Sequence, residues 1–218
     1  LSPETSVVAL LEKELTDGGC ALVVRNTVRR AQQTYRDLQA AFGDEVTLCH
    51  ARFTIADRQA KDQDLLRRFG PPRNHPDRPR RAIVVATQVV EQSLDVDFDL
   101  LVTDLAPVDL LLQRMGRLHR HERPRPARLE RPRCYVDAMP SPRSVVPVLE
   151  GGASAIYGAR DLLRTAMVLD DVMGSSGTIT VPDDVHDLME AVYGPESAEL
   201  PRWGEALARA ADDARARE

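Results

Sequence analysis

Short, wholly apolar runs alternate along the chain with amphipathic stretches. Residues 82–86 (AIVVA) and 100–102 (LLV) are continuously apolar instead of alternating, the pattern of central strands in a parallel sheet covered on both faces. Residues 21–24, 46–49 and 133–136 predict three further strands, the last of them closing the sheet. Between the strands the apolar spacing lengthens to three and four residues, which predicts helices. One is expected to open at Ser2 with Pro3 in its first turn, carry Val7, Val8, Leu11 and Leu15 on one face, and stop at Gly18-Gly19. A second runs over 28–41 with Tyr35, Leu38 and Phe42 as core contacts, and a third over 56–69 with Leu65, Leu66 and Phe69. Strand and helix in alternation predict an α/β fold, a parallel sheet flanked by helices and joined by right-handed crossovers.

The composition shifts at 139–152, where prolines, serines and glycines gather and mark a boundary. Beyond it, 155–171 carries Ile156, Leu162, Leu163, Ala166 and Leu169 on one helical face, 185–193 carries another, and 201–218 is a charged, alanine-rich helix. The expected division is therefore a sheet domain over 1–139 and a boundary loop with a small helical extension over 140–218.

Parallel sheets bind ligands at the carboxyl ends of their strands. Asn26 and Thr27 fall there after the first strand, Thr87, Gln88, Glu91, Gln92, Ser93 and Asp95 after the central run, and Thr103 and Asp104 after the next. The segment 113–120, QRMGRLHR, has the form Q-R-x-G-R-x-x-R. Arg117 and Arg120, three apart, would project from one face of a helix or helical turn. Gly116 would let a ligand or another backbone come close. Two fork-shaped, always-charged donors suit a polyphosphate. The alternative for the same pair is structural arginines bonded to helix ends or carboxylates.

Net charge is -5, so a generally basic nucleic-acid coat is not expected, yet 114–133 holds eight arginines against two acidic residues. The proline- and arginine-rich stretches 70–81 and 121–132 are expected as exposed loops, either solvated or touching nucleic acid. Three widely spaced cysteines, Cys20, Cys49 and Cys134, are expected as buried reduced thiols. No run approaches a membrane span. His119 and His121 lack the further ligands of a zinc site, so no metal site is expected. Lysine occurs only at Lys13 and Lys61, neither after a glycine, so the phosphate loop G-x-x-x-x-G-K-[ST] is missing, as is any Asp-Glu-x-His or Asp-Glu-Ala-Asp box.

ATQVVEQSLDVD (86–97) resembles motif V, and QRMGRLHR motif VI, of the second RecA-like domain of superfamily 2 helicases. The longer string through 121 resembles the type I CRISPR-associated helicase-nuclease. The first strand with Arg25-Asn26-Thr27 is similar to motif IV, and His50-Ala51-Arg52-Phe53-Thr54 with Arg58 to the stretch after the next strand in that family. The resemblance implies that Arg117 and Arg120 reach the γ-phosphate of ATP with Gln113 nearby, that Asp95 and Gly116 border the nucleotide, and that Asn26, Thr27, His50, Arg52, Thr87 and Gln88 lie along the nucleic acid. For Arg58, a solvated helix residue paired with Asp62 is the alternative. Glu91 would belong to interdomain contact or loop structure, because the water-activating carboxylate lies in the other RecA-like domain. His186-Asp187 spells the doublet of HD phosphohydrolases without the further ligands such sites need.

By the same resemblance the partners would be a first RecA-like domain holding most of the ATP and Mg²⁺ site, an HD nuclease domain of the same protein, single-stranded DNA and the Cascade surveillance complex. The cytoplasm is the compartment expected from the lack of a membrane run and of a basic-then-apolar leader pattern. This chain alone would be inactive. Two alternatives stay open: half of another superfamily 2 helicase acting on RNA or DNA, and a non-catalytic module docking Cascade or an inhibitor through the arginine-rich loops or acidic helices.

Overall fold

The computed structural model describes residues 6–72, 78–90, 94–140, 147–149, 152–194 and 203–215. The chain divides into two compact units, the first comprising 1–104 and 113–137, the second 105–112 and 138–218. Residues 105–112 therefore group with the helical unit, although the composition shift lies thirty residues further on.

Five strands build the first unit: β1 (Gly19–Val24), β2 (Val46–Cys49), β3 (Arg81–Ala86), β4 (Leu100–Asp104) and β5 (Arg133–Asp137), in the order β2-β3-β1-β4-β5 and all parallel. The central strands carry the continuous apolar runs because both their faces are covered. Ala21, Val23, Ile83, Val85, Leu100 and Val102 pack with Leu11 and Leu15 of the helix α1 (Val7–Glu14) region and with Ala31, Leu38 and Phe42 of α2 (Val28–Phe42). Cys20, Leu22, Val24, Val84 and Leu101 pack on the other face with Leu65 and Phe69 of α3 (Ile55–Phe69) and with Val96 and Phe98. Burying a side chain of this size stabilises by roughly 1.5–3 kcal/mol, so the continuous apolar runs hold the sheet in the middle.

Several expectations change at the helix ends. Ser2 and Pro3 lie outside the described residues, and the side chain of Ser6 caps α1, accepting from the Ala9 N–H at 3.1 Å. Thr27 and Thr54 cap α2 and α3 in the same way. Cys20 and Cys49 are buried and Cys134 partly so, all three unpaired.

In the second unit, α4 (Val108–Met115) contributes its opening turns, followed by α5 (Ala153–Tyr157), α6 (Ala159–Gly174), α7 (Val185–Tyr193) and α8 (Gly204–Arg215). The helix expected over 155–171 is two helices, because Gly158 sits at φ 83°, ψ 145° and breaks the run. Ile156 consequently leaves the core and is half-exposed, while Leu162, Leu163, Ala166 and Leu169 are buried as expected. Val108, Leu188 and Val192 form a cluster with Leu112, Val168 and Ile179 around them. No helix among the described residues is long and apolar enough to cross a membrane.

Candidate nucleotide and nucleic-acid site

The first group of candidate residues gathers beyond the end of α4. The helix stops at Met115, and Arg117 lies in the turn that follows, with Arg120 after His119 at φ 47°. Of the two expectations, helix or helical turn, Arg117 meets the second, its N–H bonding back to Arg114 and that of Leu118 to Met115, and the chain turns away at His119 before Arg120. Phe98, just before β4, bridges Leu118: its N–H donates to the Arg117 carbonyl at 2.8 Å, and its carbonyl accepts from the His119 N–H at 3.1 Å. These bonds compete with helical continuation and win because they tie the turn to the sheet. Candidate residues thus border the segment entering β4, in addition to the carboxyl ends of strands where they were expected.

The turn still brings Arg117, Arg120 and Asp95 together. Arg120 donates through Nε to Asp95 at 2.6 Å and His121 lies 3.1 Å from the same oxygen. The hydrogen bond from Arg120 holds the Asp95 carboxyl below the usual aspartate range. Arg117 donates from Nε to the Val90 carbonyl at 3.2 Å, and burial, with Arg120 close by, pushes its guanidinium below the usual arginine range. Gly116 offers its carbonyl to Arg120 at 3.4 Å. Gln113 lies on the last turn of α4.

The second group lies at the carboxyl ends of β1, β2 and β3. Asn26 is only 4% exposed, and its polar groups face inward: its N–H donates to Asp104 at 3.0 Å, its side-chain oxygen lies 3.3 Å from Arg114, and its carbonyl accepts from Gln88 at 3.1 Å. Thr87 is buried, with its N–H on the Cys49 carbonyl. Thr27 is half-buried at the start of α2. His50 is buried, stacked on Phe53 at 4.2 Å and within 3.4 Å of Gln32, and burial lowers its pKa. Arg52 is exposed beside it. Arg58 pairs with Asp62 at 3.9 Å on the solvent side of α3, the alternative read for it from sequence. Glu91, Gln92 and Ser93 lie outside the described residues.

Beneath this second group is a charged scaffold that sequence reasoning did not assign. Asp104 receives Arg25 at 2.6 Å and both Nε and NH2 of Arg30 at 3.0 Å, while Asp137 receives Arg25 at 2.6 Å. Arg114, 1% exposed, donates to the Thr103 hydroxyl at 2.6 Å and the Asp104 carbonyl at 3.1 Å. Its position three residues after buried Leu111, on the apolar side of α4, was the available signal. The arginine-rich loops also differ from expectation. Arg78, Arg123 and Arg125 fold onto the buried Asp97 and Asp99 and are themselves largely enclosed.

The donor set around Arg117 and Arg120 fits a phosphate, and Asp95 fits a sugar hydroxyl as acceptor. Among the described residues no three His, Cys, Asp or Glu side chains are arranged to hold a metal ion.

A family model described as CRISPR-associated nuclease/helicase Cas3, C-terminal, matches residues 17–123. The CRISPR-associated nuclease/helicase Cas3 of Streptococcus thermophilus is 38% identical over 195 residues, 89% of this chain and 20% of the relative. The chain belongs to the Cas3 family. The crystal structure of T. fusca Cas3-AMPPNP superposes with a TM-score of 0.82 at 32% identity, over 99% of this chain and 24% of that one. A chain of a CRISPR RNA-guided surveillance complex, pre-nicking, gives 0.75 at 33% identity, over 93% and 25%. This chain thus spans about a quarter or less of those Cas3 relatives, and its parallel sheet is the RecA-like sheet of the Cas3 C-terminal helicase region.

Proposed function

We propose that the chain is the second motor domain of an ATP-dependent translocase on single-stranded DNA in type I CRISPR interference. The observation that carries this reading is the convergence of Arg117, Arg120 and Asp95 on the turn bridged to Phe98, in a chain similar to a Cas3 crystallised as its AMPPNP complex. ATP, when bound, supplies the phosphoryl group transferred to water. Arg117 and Arg120 donate to the charge developing on that group, with Gln113 beside them, and such arginine contacts are worth ~10³–10⁵ in rate in related enzymes. Gly116 borders the nucleotide, and Asp95 accepts from the sugar once Arg120 turns towards phosphate. The phosphate loop, Mg²⁺ ligands and catalytic carboxylate belong to a first RecA-like domain, since the sequence holds neither G-x-x-x-x-G-K-[ST] nor an Asp-Glu box.

Along the carboxyl ends of β1, β2 and β3, Thr27, Gln88 and Arg52 grip the backbone of the strand without reading bases. Asn26, His50 and Thr87 lie deeper and shape the loops that meet it. An HD nuclease domain of the same protein and the Cascade complex complete the assembly, in the cytoplasm. Docking through the arginine-rich loops is the weaker reading, because Arg78, Arg123 and Arg125 are engaged with Asp97 and Asp99.

In the full-length protein, Arg117→Ala is expected to abolish DNA-stimulated ATP hydrolysis while leaving single-stranded DNA binding within error of the parent. Phosphate release and fluorescence anisotropy read the two. Near-normal turnover in the variant would sink the assignment, and stimulation by RNA in place of DNA would redirect it to an RNA helicase.

A further inference from the structure

Asp97 is fully enclosed, 0% exposed, two residues after Asp95 and two before Asp99. Its main chain is anchored at both ends: the N–H donates to the Phe69 carbonyl at 2.9 Å and the carbonyl accepts from Arg78 at 2.7 Å. Around the carboxylate, Arg123 Nε lies 2.7 Å from Oδ2, and Arg125 NH2 spans both oxygens at 2.9 and 3.0 Å. Those arginines suffice to balance a buried charge. The carboxylate makes one bond more. Its Oδ1 accepts the main-chain N–H of Arg120 at 2.7 Å, with the His121 N–H at 3.5 Å.

That bond falls where the chain needs holding. His119 sits at φ 47°, a region that non-glycine residues enter rarely and persist in only when their surroundings fix them. Phe98 holds the chain on one side of it through Arg117 and at His119 itself, and Asp97 holds it on the other side at Arg120. The direction in which the Arg120 side chain leaves the backbone is thereby set by a carboxylate that never meets the ligand.

We propose that Asp97 is a positioning residue for ATP hydrolysis, fixing the main chain of Arg120 so that its guanidinium and that of Arg117 meet the phosphate without reorganisation. This rests on the reading of Arg117 and Arg120 as phosphate contacts. A displacement of about 1 Å in such a group can cost on the order of 100-fold in rate.

The test measures kcat and KM for ATP under saturating single-stranded DNA, together with the thermal midpoint, in full-length Asp97→Ala, Asp97→Asn, Leu38→Ala and Arg117→Ala. Asp97→Ala is expected to lower kcat by roughly 10- to 100-fold with little change in KM, the signature of an interaction made in the transition state. Asp97→Asn, whose amide oxygen can still accept the Arg120 N–H, is expected to fall between Asp97→Ala and the parent, and it serves if the alanine variant does not fold. Leu38→Ala, a cavity in the core beneath α2 and apart from Asp97, is expected to lower the thermal midpoint while keeping kcat close to the parent. The proposal is overturned if both Asp97 variants keep full turnover while Arg117→Ala loses it, or if kcat simply follows the thermal midpoint across Asp97→Ala, Asp97→Asn and Leu38→Ala. Turnover retained by Arg117→Ala would instead overturn the phosphate-contact reading, and the positioning role with it.

Discussion

Asp99, at the threshold of β4, is held between opposing effects. Burial alone would raise its carboxyl, but Arg78, the Cys20 N–H at 2.7 Å and Arg125 outweigh that and leave it below the ordinary aspartate range. A carboxyl depressed on folding contributes stability that is present above its unfolded value, near ~3.9. That stability is lost as pH falls through the lower folded value. The urea midpoint of the chain is therefore expected to drop on acidification below about pH 4, and Asp99→Asn to flatten that limb while lowering the midpoint at neutral pH. An unchanged acid limb in the variant would show that Asp99 does not carry it. Arg78 and Arg125 also mark what the residues could not announce. Their partners lie 19 to 28 positions away, a tertiary pairing that no local pattern encodes, so the loops read as solvated. Arg114 was missed as well, although its place three residues after Leu111 puts it on the buried side of α4.

Among the elements, strands were the most legible, because enclosure on both faces writes an uninterrupted apolar run at β1, β3 and β4. Ends of helices were less so. A cap depends on one side chain and its local geometry, and Ser6 holds that place while Ser2 was an equally plausible choice from sequence. Motif VI left a related choice open: spacing of three between Arg117 and Arg120 fits a helix or a helical turn, and main-chain bonds to Phe98, a residue distant in sequence, end the helix in a turn. The step from α1 into β1 carries its own constraint. Gly18 has φ 100°, and a Cβ there would stand 2.7 Å from the Arg80 carbonyl oxygen, which already accepts the Gly19 N–H at 2.8 Å. Gly18→Ala is expected to destabilise by about 1–3 kcal/mol in equilibrium urea unfolding. A loss below the error of the measurement would mean that the β1–β3 edge can shift to admit a methyl group.

For the molecule as a whole, the phosphate contacts proposed for Arg117 and Arg120 stand without the loop that would hold a triphosphate, and Lys13 and Lys61 cannot supply one. The 218-residue chain by itself is therefore expected to release phosphate from ATP no faster than buffer, with or without single-stranded DNA. DNA-stimulated release by the isolated chain would mean that a complete nucleotide site resides here. Strand order has a further consequence, for synthesis. β1 is the middle of the sheet, yet its neighbours β3 and β4 come later in the chain. As the polypeptide leaves the ribosome, GCALVV gains one neighbour only with β3 and has both flanks covered only when β4 emerges about eighty residues later, roughly 4–16 s at common elongation speeds. In that interval its naked edges are open to pairing with other nascent chains. The strand that ends up in the middle of the sheet is the one that waits longest for its second neighbour.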